Sequence, residues 1–104
     1  RDETCPSETS SIEVSFDENS KETLEKMKAN NTKFYVEISA LLCRFDLKQE
    51  ITDFQNPILI ENIPVDYYTI KGYSEGRGYR ADGTSLDLFE TELAEVELSI
   101  WAGI

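Results

Sequence analysis

A chain of 104 residues with 21 acidic and 10 basic side chains, a formal net charge of −11 and no histidine excludes several classes of activity at once. Such a field repels phosphate backbones and anionic lipid headgroups, which argues against nucleic-acid and membrane-surface partners. Without histidine there is no usual general base, no Ser-His-Asp or Cys-His arrangement, and no commonest zinc ligand. The length makes one domain with a single core, and 39% hydrophobic with 11% aromatic residues is the composition of a chain that folds.

Residues 1–10 are polar and rich in Ser, Thr and Glu, and read as a flexible N-terminal tether preceding a single β-sandwich domain over 11–104. No stretch approaches the roughly 20 apolar residues that span a bilayer, and no basic-then-apolar signal opens the chain, so it reads as a mature or trimmed domain. Ser11 to Phe16 alternates Ile12, Val14 and Phe16 with polar residues, the pattern of a strand with one face for the core. A short helix is expected over Lys21 to Ala29, capped by Asn19 or Ser20. Its narrow apolar face of Leu24, Met27 and Ala29 places it over an edge or an open end of the sheets. Asn30-Asn31-Thr32 ends the helix and has the form of an N-glycosylation acceptor.

Lys33 to Phe45 alternates Phe34, Val36, Ile38 and Ala40 with Tyr35, Glu37 and Ser39 before losing the alternation, as at a bulge or a crossing between sheets. Asp46 to Gln55 drops Leu47, Ile51 and Phe54 into a polar stretch and is compatible with a helical turn or a connecting loop. Asn56 to Tyr73 reads as a β-hairpin, with alternation on both sides of Asn62-Ile63-Pro64-Val65-Asp66. Ser74 to Thr84 holds three of the five glycines and reads as a mobile loop or pair of turns. Leu86 to Phe89 is a short strand, and Leu93 to Trp101 a closing strand whose outward acidic residues guard an edge. About seven strands is the number expected of a sandwich.

Two cysteines, Cys5 and Cys43, fit one disulfide pinning the N-terminal segment to the sheet, or a buried thiol at Cys43 with Cys5 left over. The disulfide reading goes with an exported protein.

Ile63-Pro64-Val65-Asp66-Tyr67-Tyr68-Thr69-Ile70 resembles the apolar-Pro-x-Gly-x-Tyr-x-apolar segment of immunoglobulin-like and transthyretin (prealbumin)-like β-sandwich domains of bacterial surface proteins, of the lipoprotein and fimbrillin types. Pro64 matches the turn proline and Tyr68 the strand tyrosine. Asp66 stands where the family usually has glycine, and Asp tolerates positive φ. Gly83 to Leu86 and the closing strand extend the similarity over the second half of the chain. The resemblance implies an all-β, immunoglobulin-like or prealbumin-like two-sheet sandwich with one short helix, outside the cytoplasm: on the cell surface, in the periplasm or secreted. It names a scaffold and no activity.

Among candidate sites, Tyr67 and Tyr73 have the parity opposite to Tyr68 and Ile70. With Tyr79 on the adjacent loop, and Arg77 and Arg80 nearby, they form a candidate platform for a sugar face or a protein partner. Asp82, Asp87 and Glu90 flank the glycine-rich segment and offer hard oxygen ligands to Ca²⁺, without EF-hand spacing; otherwise no metal and no cofactor is expected. Gly76-Arg77-Gly78 is no phosphate loop, since no Walker lysine follows. Pairs of carboxylates are inevitable among 21 acids, and a small sandwich offers them little cleft. Trp101 is a core or edge plug, or an interface anchor. The leading expectation is therefore a non-catalytic extracytoplasmic module, a spacer or protein-interaction domain of a cell-surface protein. The alternatives are a carbohydrate-binding module using the tyrosine face and an acidic secreted effector that captures a basic protein. Any partner is thus a protein or a glycan at the cell surface.

Overall fold

In β1 (Thr9–Phe16), Ile12, Val14 and Phe16 are buried and their neighbours are not, as the alternation requires. The computed structural model describes residues 3–102; Arg1, Asp2, Gly103 and Ile104 lie outside the described residues, and so do the parts of the tether and domain expectations that fall on them. The strand starts inside the segment read as a tether. Thr9 and Ser10 pair with Pro64 and Ile63 as the first residues of the strand, and Glu3 bridges to Cys43, so that backbone groups of this segment find partners in the fold.

Helix α1 spans Glu18–Ala29, starting three residues earlier than the sequence indicated, and its N-cap is Asp17 in place of Asn19 or Ser20. The Asp17 carboxylate accepts the Ser20 N–H at 2.8 Å, the bond that satisfies an orphan donor of the first turn. It also accepts the Ser99 hydroxyl. Ser20 is instead buried, and its hydroxyl accepts the Ile100 N–H at 2.7 Å. Leu24 and Met27 face the core, whereas Ala29 is exposed. Asn31 at φ 58° follows the C-cap Asn30 and stops the helix.

Hydrogen bonds from Ser20, and then from Ser99, hold the Asp17 carboxyl below its ordinary value of 3.8. A carboxyl whose folded pKa is depressed stabilises the fold above its unfolded pKa, and that contribution is lost as the pH falls through the folded value. Asp17→Ala is expected to cost about 1 kcal/mol at neutral pH. The gap between variant and wild type narrows as the pH drops below about 4, which paired urea titrations at neutral and acid pH will measure.

Eight strands form two sheets. The three-stranded sheet has the order β4-β1-β7, and the five-stranded sheet the order β3-β2-β5-β6-β8, with β2 at Phe34–Ala40, β3 at Asp46–Glu50, β4 at Ile58–Pro64, β5 at Tyr67–Ser74, β6 at Tyr79–Asp87, β7 at Leu93–Leu98 and β8 at Ile100–Ala102. The fold is an all-β two-sheet sandwich with one helix. Within it β1 and β7 run parallel, and every other pair is antiparallel. The segment left open between Asp46 and Gln55 supplies β3, whose Leu47 pairs with Ile38, and then buries Ile51 and Phe54.

Two expectations are corrected by the pairing. The stretch from Asn56 to Tyr73 is no hairpin: β4 bonds to β1, while β5 bonds to β2 and β6. The chain instead arches from one sheet to the other. Positive φ falls at Asn62 (61°) and not at Asp66, and the Val65 N–H is taken by the Glu8 carbonyl at 3.0 Å. The Tyr68 hydroxyl donates back to the Pro64 carbonyl at 2.6 Å and fixes the corner. The glycine-rich stretch is likewise no long loop. A short 3₁₀ turn at Glu75–Arg77 leads directly into β6, and Gly83 lies in that strand, at the bulge where the register shifts opposite Lys71.

The closing strand divides. Leu93–Leu98 forms the edge of one sheet with Glu95 and Glu97 exposed, and after Ser99 the chain joins the other sheet as β8. Between the sheets lie Ile12, Val14, Phe16, Phe34, Val36, Ile38, Ile70 and Tyr68, with Leu24 and Met27 of α1 joining them. Gly72 is required there. A Cβ on it would stand 2.7 Å from the Phe34 ring.

The disulfide between Cys5 and Cys43 is formed, at a sequence separation of 38, and Cys43 is buried. It fits a non-reducing, extracytoplasmic environment. No helix among the described residues is long and apolar enough to cross a membrane.

Candidate functional site

Strand parity and register decide which side chains share the outer face of the five-stranded sheet. Tyr35 lies opposite Glu50 on one side and Tyr73 on the other; Tyr73 lies opposite Arg80, and Arg80 opposite Trp101. The next row brings Lys48, Glu37 and Lys71 together. Four of the ten basic residues of an acidic chain, Lys48, Lys71, Arg77 and Arg80, therefore gather around one sheet surface.

The aromatic rings hold these cations in place. Lys48 Nζ sits 4.3 Å from the Tyr35 centroid and 5.5 Å from that of Tyr73, and the Arg77 guanidinium lies 4.3 Å from the Tyr73 centroid. These are cation–π distances. The Tyr73 hydroxyl donates to Glu37 at 2.5 Å, and Lys71 Nζ is 3.8 Å from the other Glu37 oxygen.

This geometry divides the sequence-derived tyrosine platform. Tyr73 points outward as parity requires, yet it is only 8% exposed, because Tyr35, Lys48 and Arg77 cover it. Tyr67, 45% exposed, occupies the far end of β5 and packs edge-on against Phe89 at 5.0 Å. Tyr79 pairs with Ala102 and shares the parity of the buried Ala81, so it belongs to the opposite face. Arg77 and Arg80 do join Tyr73, lining with Lys71 and Trp101 a hollow of about 210 Å³.

The calcium candidates are not brought together. Asp82 accepts the Trp101 indole N–H at 3.1 Å, and Asp87 accepts the Phe89 N–H at 2.9 Å, from opposite halves of a strand rising roughly 3.4 Å per residue. Among the described residues no group of three or more Cys, Asp or Glu side chains could hold a metal ion.

At the Tyr67 end of the same face, Leu41, 62% exposed, and Tyr67 line a hollow of about 410 Å³ with Ser39, Thr69, Ser85 and Asp87, and the exposed Phe89 packs against Tyr67 beside it. The Leu41 N–H donates to the Tyr67 carbonyl at 2.9 Å, and Asp66 holds the next turn. Its buried carboxylate accepts the N–H groups of Leu42 (3.1 Å), Cys43 (2.9 Å) and Tyr67 (2.6 Å). Burial, and then the Asp66 charge, push the Tyr68 phenol well above its ordinary value, so it remains a hydrogen-bond donor. Sequence reasoning missed Leu41 and Phe89 as surface residues. The signal available was the lost alternation after Ala40, which marks the point where the chain leaves the sheet with two leucines outside it.

No family model, no curated protein and no solved structure matches the chain.

Proposed function

We infer that the protein is a non-catalytic, extracytoplasmic β-sandwich module of a cell-surface or secreted protein, of the immunoglobulin-like or prealbumin-like kind, and that it binds a protein partner. The observation that carries the reading is the apolar end of the five-stranded sheet. Leu41 and Leu42 are exposed there on a turn held by the buried Asp66 carboxylate; Leu41 and the exposed Tyr67 line the hollow, and the exposed Phe89 packs against Tyr67. Contiguous exposed apolar side chains around a hollow are the mark of an interaction surface, and rigid aromatic and aliphatic anchors carry most of the energy of such contacts. Asp46 opens β3, Asp87 closes β6 and Glu90 follows it in the connection to β7, so the partner that fits presents an apolar anchor with basic residues around it. The disulfide supports the compartment. The Tyr68 corner supports the immunoglobulin-like kinship, in which such a hydroxyl bonds back to the backbone a few residues upstream.

The test is affinity capture from extracellular material with wild type and Leu41→Asp in parallel, followed by calorimetry on the purified partner. The expected result is binding at least tenfold weaker for Leu41→Asp, about 1.4 kcal/mol or more, with the melting temperature unchanged. Equal binding by the two forms removes this surface from the reading.

A further inference from the structure

At the other end of β5 the hollow of about 210 Å³ has chemistry of its own. Lys71, Arg77 and Arg80 stand around it, with Trp101 as a wall and Asp82 as the one carboxylate. Arg80 is exposed and makes no salt bridge among the described residues. The backbone of Arg77 is held at φ 57°, directly after Gly76 at 72°. Arginine is not a residue that relieves a left-handed conformation, and backbone strain of this kind persists where the surrounding structure over-determines it. What it achieves here is to lay the guanidinium on the Tyr73 ring, so that one cation is pre-positioned at the rim.

Trp101 is 44% exposed, and its indole N–H is tied to Asp82, which orients the ring. Asp82, Gly83 and Trp101 also line a second hollow of about 290 Å³, bounded by Thr84 and residues 96–99. Two adjoining hollows, each of about the volume of a sugar ring or two, thus share an oriented aromatic wall, and cations cluster at one of them.

We propose that this groove binds an acidic oligosaccharide, its carboxylate held by Arg77, Arg80 and Lys71 and a neighbouring ring seated against Trp101. Arginine forks match carboxylate geometry, and an indole offers a broad, rigid apolar face to a sugar. The cationic end selects an anionic ligand out of the repulsive field of the whole acidic chain. This site lies apart from the apolar end and stands or falls independently of it.

Trp101 is the sole tryptophan, so its emission reports directly on the groove. The intact, oxidised protein is titrated with a galacturonate tetramer, a hyaluronan tetramer and sialyllactose, each also as its carboxyl methyl ester, and with an oligoglutamate peptide. A saturable emission change with at least one acidic sugar is expected, lost with its ester. Arg80→Gln and Arg77→Gly should each weaken binding roughly tenfold or more, the effect of losing a charge-assisted hydrogen bond. Arg77→Gly also discriminates a ligand role from a structural one, because glycine relieves the positive φ and leaves the melting temperature near wild type while binding falls. Three results would each overturn the proposal. They are no saturable change with any acidic sugar up to about 10 mM, a range that covers weak millimolar binding; equal binding of acid and ester; or oligoglutamate binding as tightly as the best sugar, which assigns the groove to acidic polypeptides.

Discussion

Reduction of the Cys5–Cys43 disulfide is expected to lower stability by roughly 3–4 kcal/mol and the thermal midpoint by about 15 °C for a domain of this size. The bond closes a loop across a sequence separation of 38, so cutting it restores that conformational freedom to the unfolded chain. The folded side changes as well. Glu3 is bridged to Cys43, and the Arg44 N–H donates to the Glu3 carbonyl at 3.1 Å, pairings that lose their covalent anchor when the sulfurs part. Urea titration with and without reductant, together with a Cys5→Ser/Cys43→Ser double variant, measures the effect. A loss below about 1 kcal/mol would mean that the reduced unfolded chain already keeps its ends together.

The second large effect belongs to Asp66. It is 1% exposed and accepts three backbone N–H groups from two segments, Leu42 and Cys43 on one side and Tyr67 on the other. Asp66→Ala leaves these donors without their acceptor, the Cys43 N–H buried and those of Leu42 and Tyr67 part-buried, at about 1–3 kcal/mol for a buried group left unmade. With partial relaxation of the turn, about 3–4 kcal/mol in all is expected. Asp87→Ala, which removes an exposed acceptor for a single N–H, should cost under about 1 kcal/mol. Denaturant titration gives both numbers. Amide exchange at residues 42 and 43 locates the damage, since those protons should lose protection in Asp66→Ala and keep it in Asp87→Ala.

Why some of this was legible in the sequence follows from the kinds of interaction involved. The alternation in Ser11 to Phe16 and in Phe34 to Ala40 is local, and each strand came out with the face it announced. The sandwich class is expected from the number of short strands and from the resemblance around Pro64 and Tyr68, and the disulfide is one of two readings that the pair of cysteines allows. Pairing is not local. Nothing within Asn56 to Tyr73 says that β4 must bond to β1, because two alternating runs around Pro64 look alike whether they fold onto each other or arch between sheets. Asp66 looked like a turn residue for the same reason: its role depends on N–H groups more than twenty positions away.

The candidate face was half legible. Parity placed Tyr73 on the outside, but Tyr35, Lys48 and Arg77, which cover it, arrive from β2, β3 and the 3₁₀ turn. Exposure could not be read from β5 alone. The glycines of Ser74 to Thr84 read as a loop, where parity has no meaning; because Tyr79 opens β6, its face is set by Ala81 and is the opposite one.

The early disulfide also governs how the molecule responds to mechanical load. Tension entering through the residues before Cys5 reaches the sulfur–sulfur bond before it reaches β1, and passes through Cys43 along the chain into β3. The intervening β1, α1 and β2 lie within the loop that this bond closes and carry no pull along the chain, even in a molecule whose hydrogen bonds have been torn. Oxidised, the chain has a shortened reach. Reduced, it gains the length of 38 residues, on the order of 130 Å at full stretch, and β1 and β7, being parallel, then slide against each other in shear with all their rungs resisting together. In this fold, the redox state sets both how far the module can be drawn out and which strands oppose the pull.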